Sequence, residues 1–170
     1  KDSLFAFGNV EKVALMINLM SVACSAGTVL LLFWTIERMI KKITSNNEKF
    51  IATIGAAVGS LVYTFSDSFW FSAVEGEVYA MSSFFTALVF WSIVKWEYEV
   101  DKNATAHKWL VFIAYLIGLS IGVHLLSLLV IPAIVLMYYF KRYDFSIKGF
   151  VIANVISIIL LGLIYNFIIP

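Results

Sequence analysis

Five side chains in the stretch DSFWFSAVEGEVY, residues 67–79, are of types that could do chemistry: Asp67, Trp70, Glu75, Glu77 and Tyr79. A carboxylate shielded from bulk water accepts charge-assisted hydrogen bonds that are roughly twice as strong as neutral ones. A Trp or Tyr beside it covers an apolar ligand face and offers a polar edge. Read as one continuous helix, Trp70, Ala73, Glu77 and Met81 follow steps of three and four and share a face, while Glu75 points about 200° away from Glu77. This phase predicts that Glu77 enters a bundle or cavity and that Glu75 meets water. An interfacial belt of aromatics with solvated acids is the other reading, and for Glu77 both stand open.

His124 raises the same question in GLSIGVHLLSLLVIPA, residues 118–133. It sits at the edge of an apolar run, where an ionisable side chain is a functional candidate or a histidine satisfied by a backbone carbonyl. His107 lies in a polar loop, where solvation suffices. Two histidines without a Cys partner or a His/Glu helix motif predict no metal site. The sequence also has no Gly-rich phosphate loop and no serine-nucleophile motif. Cys24, in an apolar run, reads as a small buried hydrophobe.

The elements that must hold these residues are membrane helices. With 62% hydrophobic residues, 14% charged residues and a mean hydropathy of +0.93, there is too little polar surface to cover a soluble globule of 170 residues. A net charge of +1, with no basic cluster along a groove, points to no nucleic-acid partner. Apolar runs near 13–36, 50–65, 80–94, 109–122, 125–140 and 150–169 predict an all-α, polytopic bundle of six spans, the shorter ones needing local thinning of the bilayer. No repeat or linker divides the chain, so one transmembrane domain is expected over residues 1–170.

Cytoplasmic loops gather Lys and Arg. Arg38, Lys41, Lys42 and Lys49, then Lys95, Lys102 and Lys108, then Lys141, Arg142 and Lys148 fall on alternate loops, and only Lys1 and Lys12 of the 12 basic residues do not. The N-terminus and the 66–79 loop are therefore expected outside. The sequon Asn103-Ala104-Thr105 is expected inside, where it carries no glycan. Small-residue pairs Ala23/Gly27, Gly55/Gly59 and Gly118/Gly122 mark candidate helix contacts. A start at Lys1 and a stop at Pro170, directly after an apolar run, read as a piece of a longer protein.

The stretches SFWFSAVEGEVYAM and GLSIGVHLLSLLVIPA, with the opening SLFAFGNVEKVALMINLMS, resemble the protein O-mannosyltransferase-like membrane family of Bacteroides-type bacteria. The resemblance implies a C-type glycosyltransferase of the bacterial inner membrane. Such an enzyme takes a sugar, mannose being the one the family is named for, from a polyprenyl-phosphate donor and transfers it to hydroxyls of an acceptor protein on the extracytoplasmic side. The lipid-linked sugar is then a substrate, and no cofactor is implied. Glu77 and Tyr79 match the family's Glu-Val-Tyr motif; Asp67 and Trp70 would complete the wall of the substrate site, and His124 would approach the donor phosphate. The family's catalytic base and Pro-Gly-rich stretch are expected upstream of Lys1, so Asp2 is not assigned that role, and residues 1–170 would hold scaffold and part of the site. A proton-coupled transporter with Glu and His as a relay, or a non-catalytic scaffold subunit, are the competing classes.

Overall fold

The computed structural model describes residues 10–44, 49–76 and 78–168, and these are helical with no strand among them. In chain order the helices are α1 (Val10–Ile43), α2 (Lys49–Thr64), α3 (Asp67–Val74), α4 (Val78–Glu99), α5 (Lys108–Ile121), α6 (Ile131–Arg142) and α7 (Ile147–Ile168). Short 3-10 segments cover Ala104–His107 and Leu125–Val130. The chain divides into two compact units, Lys1–Ala87 and Leu88–Pro170, the division falling inside α4.

Each of the six expected runs is helical, but they are not six equal spans. Glu11–Ile43, Val78–Glu99 and Ile147–Asn166 are long and apolar enough to cross a membrane, and α2 with α3 passes as a fourth only if a 66° bend is counted within one span. The 14 residues of α5 cover about 21 Å at the usual helical rise, short of the roughly 30 Å of a hydrocarbon core. The 125–140 run splits because Pro132 stands in the first turn of α6, the one place in a helix where a missing N–H costs nothing. The residues before it form the 3-10 segment instead.

In the first unit the α1–α2 seam is built from small residues. Ala52, Ala56 and Ser60 are buried at four-residue spacing on α2. A Cβ added at Gly55 would lie 3.0 Å from Ile40, and one at Gly59 3.1 Å from Ile36. The two contacts run in opposite chain directions, so the helices are antiparallel, and the Gly55/Gly59 pair is a contact as its spacing suggested. At the basic end, Thr53 Oγ1 donates to Glu37 Oε1 at 2.8 Å while Lys41 pairs with the same carboxylate at 2.7 Å. On α1, Ser21, Ser25, Thr28, Leu31 and Thr35 form one buried stripe. Thr28 and Thr35 satisfy their hydroxyls on the carbonyls of Cys24 and Leu31. Gly27 receives the Phe84 ring of α4, whereas Ala23 is exposed, so that small pair acts through one member.

The second unit is held at its basic end by aromatic and ionic contacts. Trp96 is fully buried and stacks on Tyr138 with centroids 5.4 Å apart. Lys141 of α6 reaches Asp101 at 2.5 Å and Glu97 at 3.9 Å, tying α6 to the end of α4. The hydrogen-bonded Lys141 ammonium holds the Asp101 carboxyl below the usual carboxylate range. The Tyr139 hydroxyl accepts the Ser146 N–H at 2.9 Å and fixes the α6–α7 turn, with Gly149 packed against the phenol. Of the third small pair, Gly118 has no neighbour within 4 Å of an added Cβ and Gly122 meets only the Leu119 carbonyl. Here small-residue spacing marks no close helix approach among the described residues.

Candidate functional site

The acidic stretch begins where α2 turns into α3. Ser66 breaks the helix with extended backbone (φ −72°, ψ 139°), and its hydroxyl donates back to the Tyr63 carbonyl at 2.8 Å. The Trp70 N–H donates to the Ser66 carbonyl at 2.9 Å, and α3 starts with Asp67 in its first turn, where a carboxylate suits the positive end of the helix dipole. Eight residues later the helix ends. Glu75 adopts extended backbone (φ −77°, ψ 133°), and its N–H closes the last turn on the Phe71 carbonyl.

That ending overturns the helical phase read from the sequence. A face shared by Trp70, Ala73, Glu77 and Met81 requires a helix running through residues 75–77, and α3 stops at Val74. Glu77 itself lies outside the described residues. Within α3, Phe69 is buried and Ser72 and Ala73 are half-buried, whereas Asp67, Trp70, Phe71 and Val74 are exposed. The first three fall on one side of the helix and the other four on the opposite side. Since α3 packs on α1, the buried side is the α1 side, and Asp67 and Trp70 face outward.

The outward side carries an open groove of about 430 Å³, lined by Phe65, Asp67, Trp70, Phe71 and Val74. Phe65 and Trp70 stack nearly parallel there, centroids 6.3 Å apart. On the other side, an added Cβ at Gly76 would come within 3.0 Å of both Asn18 Oδ1 and Ile17 Cγ2 of α1. Asn18 is therefore a polar group set against the acidic loop, and the sequence reading missed it. The signal was present as a single amide inside the apolar run VALMINLMSV. Tyr79 stands in the first turn of α4 and is 45% exposed.

His124 belongs to the second unit. α5 ends at Ile121, and the Val123 and His124 N–H groups both donate to the Ser120 carbonyl, at 3.0 and 2.9 Å. The His124 carbonyl in turn accepts the Ser127 N–H at 3.2 Å as the 3-10 segment begins. The imidazole is half-buried in this tight turn, the setting expected from the sequence. Among the described residues no three His, Cys, Asp or Glu side chains gather as metal ligands.

Neither a curated protein nor a solved structure matches the chain. Residues 2–147 match the family described as the Protein O-mannosyl-transferase TMEM260 N-terminal domain. The matched residues run from before α1 to the first residue of α7 and include the acidic stretch, Asn18 and His124. On that extent of match, the chain belongs to the family of the protein O-mannosyl-transferase TMEM260 N-terminal domain.

Proposed function

We propose that this protein is part of a membrane glycosyltransferase of the C-type superfamily that moves mannose from a polyprenyl-phosphate carrier to protein hydroxyls on the outer side of a bacterial inner membrane. The family match over residues 2–147 is the observation that carries this reading. The placement of polar groups at the α3–α4 loop supports it, because Asn18 and Glu75, beside Gly76, offer hydrogen bonds at the end of otherwise apolar helices. Glu77 and Tyr79 are assigned to sugar or acceptor hydroxyls, a carboxylate being the strongest acceptor such groups can meet. Asp67 and Trp70 flank that site on its outward side. His124 is assigned to the donor phosphate, where a hydrogen-bond donor stabilises charge on the leaving group. None of the described carboxylates is assigned as the catalytic base. Six crossings are proposed, with α5 and the 3-10 segment plus α6 as short ones in a locally thinned bilayer.

The test compares Glu77→Gln with Glu75→Gln in the complete protein, reconstituted with polyprenyl-phosphate mannose and an acceptor protein. Glu77→Gln keeps size and removes charge, and it is expected to lower transfer by about 10- to 1000-fold, as for the loss of one preorganised polar contact. Glu75→Gln stays within a few-fold of wild type. Equal rates for the two variants at normal membrane levels contradict the assignment of Glu77.

A further inference from the structure

The outward side of α3 is apolar, yet among the described residues of its own unit nothing covers it. Phe65, Trp70, Phe71 and Val74 are 71%, 56%, 62% and 57% exposed. They continue a surface that begins on α2, where Val58, Leu61 and Val62 are also exposed. On a span those α2 residues face acyl chains, so whatever lies against α3 is the next layer of the same medium. α3 does not continue the α2 axis, from which it is bent by 66°. A short helix turned this far out of the span direction, with aromatics on one face and polar groups at both ends, matches the boundary between acyl chains and headgroups. Asp67 at its first turn, exposed Ser68 and half-buried Glu75 at its C-cap supply those polar ends.

We infer that α3 is an interfacial helix whose Phe65, Trp70, Phe71 and Val74 face docks on the lipid surface, with Asp67 and Glu75 at headgroup level. The occupant is lipid rather than a second copy of the chain. Four partly exposed side chains within residues 65–74 fall well short of the roughly 1,200 Å² that a specific protein interface buries. Two acids and no Lys or Arg in residues 65–76 fit a zwitterionic surface better than an anionic one. Docked in this way, α3 fixes the depth at which the α3–α4 loop meets the membrane surface.

The inference is tested by fluorophores attached at single cysteines in the complete protein with Cys24→Ala, reconstituted in phosphatidylcholine vesicles. Phe71→Cys and Trp70→Cys report on the outward side, Ser72→Cys on the α1 side, and Leu61→Cys on the α2 span. Labels at 70 and 71 are expected to be quenched several-fold more by nitroxides at the headgroup than by nitroxides deep in the acyl chain. The label at 61 should show the reverse order, and the label at 72 should be protected from both. Deep quenching at 70 and 71 would mean that α3 lies within the span. Quenching there by aqueous iodide alone would place the face in water, and protection from every quencher would show that protein covers it. Each of these three results overturns the inference, and none depends on sugar transfer.

Discussion

Gly76 matters for the side chain it lacks. An added methyl would sit 3.0 Å from both Asn18 Oδ1 and Ile17 Cγ2, closer than ordinary packing distance. Gly76→Ala should therefore make Asn18 and Ile17 give by a few tenths of an ångström and lower stability by up to about 1 kcal/mol, the low end for overpacking because both side chains are exposed. Thermal unfolding in detergent measures this, and adding Ile17→Ala in the same protein should recover part of the loss. No change in Gly76→Ala would mean that the loop does not rest on α1. The same position shows what was legible in the sequence and what was not. The acids and aromatics of residues 67–79 stood out by type alone. Their relative orientation did not, because residue spacing gives a face only while a helix continues, and Glu75 and Gly76 stand just past the end of α3. Asn18 escaped notice because a lone amide in an apolar run has no sequence neighbour to pair with; only the fold brings Gly76 to it.

At the scale of elements, the six apolar runs each became helix because length and hydropathy alone decide that in this chain. The breaks inside them were harder to read. The end of the 50–65 run at Ser66 is legible, whereas the 125–140 run reads as one span although Pro132 stands in the first turn of α6. Gly55 and Gly59 met α1 as their spacing suggested, but Gly118, at the same spacing, has no close neighbour among the described residues. The tie between α4 and α6 is testable by pH. Asp101 is held below the ordinary Asp value by the Lys141 hydrogen bond, so its folded form is depressed relative to the unfolded chain. The stability it contributes is fully present above about pH 3.9, the unperturbed Asp value, and is lost as pH falls through the lower folded value. Asp101→Asn should remove that part of the acid dependence, leaving a flatter unfolding midpoint below pH 4 than wild type shows. Identical acid profiles for the two proteins would mean that the Lys141 contact does not persist in solution.

For the whole molecule, the alternation of basic loops makes the sidedness of both ends of the helices a single linked expectation. In the complete protein with Cys24→Ala, cysteines at Ser68 and Val123 should be labelled in intact cells by an impermeant reagent. Cysteines at Asn103 and Tyr143 should be labelled only after lysis. Early labelling at Asn103 or Tyr143 would reverse the sidedness, and with it the outer position of the acidic loop. The proposed activity adds one requirement that sidedness alone does not supply: a donor that arrives through the lipid, mannose on a polyprenyl phosphate rather than on a nucleotide. The direct test reconstitutes the complete protein with an acceptor protein and offers radiolabelled mannose either on a polyprenyl phosphate or on a nucleotide. Transfer from the polyprenyl phosphate and none from the nucleotide sugar is the expected result. Transfer from the nucleotide sugar alone, or from neither donor, would contradict the account.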